Sequence, residues 1–409
     1  MDRMLSWLTG ATPDQKRSLA AAFLGYMLDA MDVMLYAFVL GQIQREMHFS
    51  AAVSGAMMSA TLLAAAAGGV GFGWVADRFG RTRALTWSVL IYSVATAACG
   101  LTHTALELVI CRAVLGLGMG GEWAAGATLV AETWPAVHRG KALALVQSSW
   151  AVGYALGAAL VAVVLPRFGW RAVFFAGLIP ALATFWFRHG LKESDQWTEV
   201  RASQTSVAPR VGQLFRGTFG RSMLVCSTMN ACALFAYWGL FTWVPAFLSR
   251  PVAEGGRGLS VVQTSSWTIV MQVGTFLGYV IFGYIADRVS RKYTYIGYLL
   301  IAAALIPLFA LVRNADWLLV IGPLVGFFGT GYFSGFGTIA SELFPTELRG
   351  TALGFAYNIG RVASAAAPYL IGAVSEHAGL SYALCLTSVA FVGAAWIATA
   401  LKPPAVCEA

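Results

Sequence analysis

Apolar residues run along this chain in blocks of roughly twenty or more, each closed by a short stretch of charge, Gly or Pro. Twelve blocks can be marked. They cover about 18–41, 51–76, 84–102, 106–131, 140–165 and 170–188, then, after a polar stretch, about 222–248, 261–286, 293–312, 316–341, 350–374 and 379–401. A helix crosses a ~30 Å hydrocarbon core with ~20 such residues. The pattern therefore predicts an all-α integral membrane protein with twelve transmembrane helices, spans 1 to 12. Two six-helix bundles are expected, 1–189 and 221–409, joined by a polar, basic linker at 190–220 that reads as a solvated cytoplasmic segment.

Composition agrees. The 409 residues are 58% hydrophobic and 11% charged, against about 25% charged in soluble proteins. The net charge of +8 is thus to be read by position and not as a nucleic-acid signal. With the N-terminus inside, nineteen Lys and Arg fall in cytoplasmic segments and six in outer ones. That bias predicts both termini in the cytoplasm of a bacterial-type inner membrane. No cleavable leader is evident before span 1, which is expected to direct insertion itself. The six cysteines show neither metal spacing nor a disulfide pattern and read as reduced packing residues.

The two halves repeat. Gly73-x-x-x-Asp77-Arg78 after span 2 recurs as Gly283-x-x-x-Asp287-Arg288 after span 8. Glu132-x-x-Pro135 with Arg139-Gly140 recurs as Glu342-x-x-Pro345 with Arg349-Gly350. Both pairs are offset by 210 residues. A constant offset over two motifs and matching hydropathy points to duplication of a six-helix unit.

Against this apolar background, charges inside spans stand out. Asp29 and Asp32 sit near the middle of span 1, three residues apart and so on one helix face. Each costs on the order of 2.5–3.5 kcal/mol at a helix centre on insertion scales. They are either carboxylates tolerated by pairing in a bundle or an ion or proton site. Arg112 lies ~9 Å below the outer surface at a rise of ~1.5 Å per residue. Asp32 lies ~21 Å from the inner surface of a ~30 Å core, so the two share a depth. They form either a static bridge or a pair whose breaking lets Asp32 take a proton, with Asp29 the other protonation candidate.

Arg361 lies ~17 Å from the inner face. No acid lies at its depth in the C-terminal half, and a guanidinium matches a carboxylate bidentately. Either an anionic solute visits it or Asp29 pairs with it. Gln147, Trp150, Tyr154, Asn230, Tyr237, Gln272, Tyr332, Tyr357 and Asn358 supply polar and aromatic groups at similar depths. Each alone reads as packing or interhelical hydrogen bonding; as a set they can line a binding site.

Gly73-Trp74-Val75-Ala76-Asp77-Arg78-Phe79-Gly80-Arg81-Thr82-Arg83 resembles the loop signature between helices 2 and 3 of the major facilitator superfamily. Arg112-Ala113-Val114-Leu115-Gly116-Leu117-Gly118-Met119-Gly120-Gly121-Glu122 resembles its helix 4 motif. The resemblance covers essentially the whole chain. In the second loop copy Ser290 stands where the glycine would be. The span 1 Asp-x-x-Asp, the Gly120-Gly121-Glu122 run, Ala131-Glu132-Thr133-Trp134-Pro135 and Gly169-Trp170-Arg171-Ala172-Val173-Phe174-Phe175 look most like the sialate:proton symporter branch, with its sialic acid and lactate-type carriers. The linker is too polar and too short for the two extra spans some sialic acid carriers insert.

The resemblance implies a proton-coupled symporter that imports a small organic acid anion by rocking of two bundles. It gives Asp29, Asp32, Arg112 and Glu122 the coupling part. It gives Asp77, Arg78, Gly80, Arg81, Asp287 and Arg288 the part of a cytoplasmic gate, in which Asp77 can face the N-terminus of span 11. The alternatives are a sugar:proton symporter or a drug/proton antiporter. Leu191-Lys192-Glu193-Ser194-Asp195-Gln196-Trp197 matches the sugar carriers' Pro-Glu-Ser-Pro-Arg only in part. No nucleophile elbow, zinc-protease motif or Walker loop occurs, so neither an enzyme nor an ATP-driven pump is expected. No cofactor, metal or nucleic acid is expected; the partners are the anion, protons and the bilayer, and the protein is expected to act as a monomer.

Overall fold

The computed structural model describes residues 7–188, 192–193, 197–198, 211–344 and 346–401. Arg3, Arg201, Arg210 and Lys402, counted above among cytoplasmic charges, lie outside them, as does most of the linker. All regular structure among the described residues is helical: α1 Pro13–Met47, α2 Ala51–Phe79, α3 Arg81–Cys99, α4 Ala105–Thr133 and α5 Ala136–Arg188. A 3-10 helix at Val211–Phe215 precedes α6 Gly217–Phe241, followed by α7 Val244–Ser249, α8 Val261–Arg288, α9 Arg291–Leu311, α10 Ala315–Gly331, α11 Phe333–Glu342, α12 Thr346–Ser364, α13 Ala366–Ala378 and α14 Leu380–Thr399.

All twelve spans are present, and five differ in detail. Spans 5 and 6 form the two arms of α5, separated only by Gly169 at φ 74°, a value that favours glycine. Span 7 begins five residues earlier than expected, at Gly217, and breaks between α6 and α7. Pro245 stands in the first turn of α7, where its ring excludes a helical carbonyl at Phe241. Span 11 breaks between α12 and α13 for the same reason, with Pro368 excluding a helical carbonyl at Ser364. Span 10 breaks at Tyr332, beside Gly329 and Gly331, where helix propensity is low.

Local sequence sets several starts. Thr12 with Gln15, Thr104 with Glu107 and Ser260 with Gln263 form reciprocal capping boxes for α1, α4 and α8. Each satisfies two backbone N–H groups that the first helical turn leaves open.

The chain folds into two compact units. One takes the chain up to His48 and from Ala60 through α5; the other takes Phe49–Ser59 and the chain from α6 onward. Their packing repeats. A Cβ on Gly68 would meet the Leu117 carbonyl oxygen at 2.1 Å, and one on Gly278 would meet that of Phe327 at 2.3 Å. These pairs are again 210 residues apart, so the duplication extends to backbone contacts between spans 2 and 4 and between spans 8 and 10. Only a residue without a side chain permits that approach.

Candidate functional site: buried acids and a buried arginine

Asp29 and Asp32 are each 1% exposed, on a helix that is buried on nearly every face. The Thr96 hydroxyl lies 3.1 Å from Asp32 Oδ2 and 2.8 Å from the Tyr92 carbonyl oxygen. Two turns earlier on α3, the Ser88 hydroxyl lies 2.8 Å from the Gly118 carbonyl oxygen and 3.3 Å from Glu122 Oε2. Two buried acids, Asp32 and Glu122, are therefore read by one face of α3. Arg112 is fully buried, with its guanidinium 4.5 Å from the centre of the Tyr36 ring. Its charge and that of Asp32 act on each other. Tyr36 lies one turn beyond Asp32 on α1 and forms the floor on which Arg112 rests.

The α5 residues separate into two groups. Gln147 approaches the Tyr26 hydroxyl at 3.4 Å, and Trp150 packs on the Tyr26 ring at 5.1 Å. Trp123, next to Glu122, completes this cluster at 4.9 Å from Tyr26. Tyr154 is elsewhere, edge-on to Phe38 at 5.7 Å. Tyr26 shares a helix face with Asp29, three residues on, and that spacing could have identified it.

In the second unit, Arg361 is 4% exposed and its guanidinium stands 5.0 Å from the centre of the Tyr357 ring. Asn230 donates to the Ala356 and Tyr357 carbonyls at 3.4 and 3.5 Å, which ties α6 to the turn of α12 that carries them. Tyr237 stacks on Phe241 at 4.7 Å and meets Phe333 edge-on at 5.3 Å. Tyr332 donates its hydroxyl to the Ala233 carbonyl at 2.9 Å. Asn358 donates to the Gly354 carbonyl of its own helix at 3.0 Å. Gln272 is buried, and neither atom of its amide makes a hydrogen bond among the described residues. Thr264, Thr268 and Thr275 are buried on the same face of α8.

The loop after α2 is a connected structure. Arg81 bridges Asp77 and Glu132, both at 3.0 Å, and also donates to the Ala76 carbonyl at 2.8 Å. Arg78 lies over the Trp74 and Phe79 rings. Gly80 takes φ 108°, and α3 starts without a capping side chain of its own. Glu193 supplies the cap, accepting from the Arg81 and Thr82 N–H groups at 2.9 and 3.2 Å and from the Thr82 hydroxyl at 3.0 Å. The expectation of a merely solvated linker is thus corrected at this residue. Trp197 adds a bond to the Asp77 carbonyl at 3.0 Å. In the second copy Arg291 pairs with Glu342, while Asp287 and Arg288 end α8 at an exposed surface.

A model of the Major Facilitator Superfamily matches residues 22–253 and 251–406. The chain is 33% identical over 400 residues to a "Probable 4-methylmuconolactone transporter" of Cupriavidus pinatubonensis, covering 95% of this chain and 91% of that protein. It is 29% identical to the sialic acid transporter NanX of Escherichia coli, covering 94% of each. Among solved structures, a D-xylose-proton symporter superposes with a TM-score of 0.74 at 21% identity, covering 95% of this chain and 98% of that one.

Proposed function

The chain belongs to the Major Facilitator Superfamily, and within it we propose a proton-coupled symporter that imports a small organic acid anion by alternating access. It is a multi-pass membrane transporter with organic-acid carriers among its relatives. The proposed substrate is a monocarboxylate such as sialic acid, lactate or an aromatic acid. The distribution of Lys and Arg supports an orientation with both termini in the cytoplasm.

The observation that carries proton coupling is a count of hydrogens. A hydroxyl has one proton to donate. Thr96 has two acceptors within reach, Asp32 Oδ2 and the Tyr92 carbonyl, and Ser88 likewise has Glu122 Oε2 and the Gly118 carbonyl. All four contacts are satisfied together only when each carboxyl carries a proton and donates it to the hydroxyl. When either acid is ionised, one contact loses its hydrogen inside a buried site, and Arg112 is the compensating charge near Asp32. Protonation thus rearranges hydrogen bonds between α1, α3 and α4, which is the local event that coupling needs. Arg361 supports an anion over a neutral sugar, because a buried guanidinium offers a planar fork for carboxylate.

Proteoliposomes with an imposed inward proton gradient test this. A panel of radiolabelled sialic acid, lactate, pyruvate and benzoate should contain an accumulated acid. Asp32→Asn or Asp29→Asn should abolish its accumulation yet spare exchange, since exchange needs only the loaded carrier to reorient. Full proton-driven accumulation in both variants would overturn the coupling role. Cysteines at Gly255–Gly258 should label only from outside and one at Lys192 only from the cytoplasm.

A further inference from the structure

A crevice of about 560 Å³ opens along α6 and α12, lined by Phe215, Gly220, Met223, Leu224, Ser227, Thr228, Ala231, Ile359 and Ala363. We infer that it holds one acyl chain of an anionic phospholipid whose phosphate is bound by Arg216 and Arg221.

The lining itself excludes a polar solute. Its two hydroxyl residues are turned onto their own helix: Thr228 donates to the Leu224 carbonyl at 2.8 Å and Ser227 to the Met223 sulfur at 3.6 Å. What remains facing the crevice is hydrocarbon. From Gly220 to Ala231 the wall rises ~16 Å at ~1.5 Å per residue, a span suited to an extended chain and not to a compact solute.

The crevice is also distinct from the arginine site. Ile359 and Ala363 stand two positions on either side of Arg361, and at 3.6 residues per turn both lie near the opposite side of α12. Leu224 and Ile359 are exposed. Phe215 and Phe355 meet edge-on at 5.9 Å near one end of the crevice.

Charge chooses the occupant. Arg216 follows the lining residue Phe215, Arg221 follows Gly220, and both arginines are exposed. This end carries cytoplasmic charge in the proposed orientation, where the leaflet is anionic and basic residues gather lipid headgroups. Guanidinium groups pair with phosphate through two parallel hydrogen bonds. A hydrocarbon wall ending in two arginines matches an anionic phospholipid; a zwitterionic lipid would fill the crevice without using the charges.

The test uses the full chain in phosphatidylcholine nanodiscs with a small fraction of phosphatidylglycerol bearing a photoreactive diazirine in its acyl chain. Crosslinks should concentrate on peptides 215–231 and 355–363. Unlabelled phosphatidylglycerol should compete at least threefold better than phosphatidylcholine. Arg216→Gln with Arg221→Gln should remove that preference, and Thr228→Trp should remove the crosslink by filling the crevice. The arginine pair lies at the surface, so its variant reports even if the Trp variant misfolds. Crosslinks spread evenly over the lipid-facing helices, or equal competition by both lipids, would overturn the site. Labelling of a cysteine in the Gly255–Gly258 loop by an impermeant reagent in sealed vesicles fixes the orientation separately, so a reversed topology is told apart from a missing site.

Discussion

Arg81, at the start of α3, holds Glu132, near the end of α4, at 3.0 Å, and the contact recurs 210 residues later between Arg291 and Glu342. The second copy lacks the loop glycine but keeps the ion pair. What the duplication preserved on this surface is therefore the clamp between the third and fourth helices of each unit.

Both side chains of the Arg81–Glu132 pair are largely buried. Removing one partner leaves the other charge poorly solvated, at a cost of about 2 kcal/mol. Glu132→Gln and Arg81→Gln should each lower the melting temperature and slow uptake. The double variant should lose less than the sum of the two, because the second change acts on a contact that the first has already broken. Melting curves of the four proteins check this, and strict additivity would show that the two residues act separately.

Gly80 and Ser290 should respond oppositely to the same exchange. Gly80 holds φ 108° and ψ 153°, a region that only glycine occupies readily, and a Cβ there would come 2.2 Å from the Glu193 carboxylate. Gly80→Ala should therefore cost roughly 1–3 kcal/mol and disturb the Glu193 cap. Ser290 has φ 170°, extended backbone open to any residue, so Ser290→Gly should change melting little. Equal losses in the two variants would contradict this account of the departure from the repeat.

Arg361→Lys keeps the charge but not the planar fork or the face that lies over Tyr357. The apparent KM for the transported anion should rise by about tenfold, equivalent to about 1.4 kcal/mol. Exchange and net uptake should suffer together, unlike in the Asp32 variant. Initial-rate measurements with and without a proton gradient separate the two cases.

Glu376, just past the eleventh span, accepts from the Ala52 N–H at 2.8 Å and so caps the start of α2. That bond, followed by one from Ser50, holds its carboxyl below the usual range. A depressed folded-state pKa gives a stability contribution that is complete above the unfolded value of about 4.3 and lost as pH falls through the folded value. The Glu376 contribution to the melting temperature should be full and independent of pH at pH 6–7, and be lost only in the acid range below about 4. Glu376→Gln should show a smaller acid drop than the parent; parallel curves would refute the cap.

Much of the site was legible before the fold. Asp29, Asp32 and Arg112 are conspicuous because charge inside a span is expensive. Arg81 and Glu132 fall in motifs that repeat at a fixed offset. Thr96, Ser88 and Tyr36 were not legible, since a hydroxyl or a ring in an apolar run is ordinary and gains meaning only from its neighbour. Glu193 was hidden for another reason: its position in a basic stretch reads as solvated surface, and its target is the backbone of a helix more than a hundred residues earlier in the chain.

The sequence by itself determined the number of spans and the duplication. Those are one-dimensional quantities, fixed by the thickness of hydrocarbon and the rise of a helix. Tertiary structure decided which hydroxyl meets which acid, which glycines are contact points, and where spans 7, 10 and 11 break. Those depend on how helix faces turn toward one another, a rotation that a nearly uniform apolar surface does not encode, because hydrophobic burial has no direction and only the sparse hydrogen bonds and close approaches do.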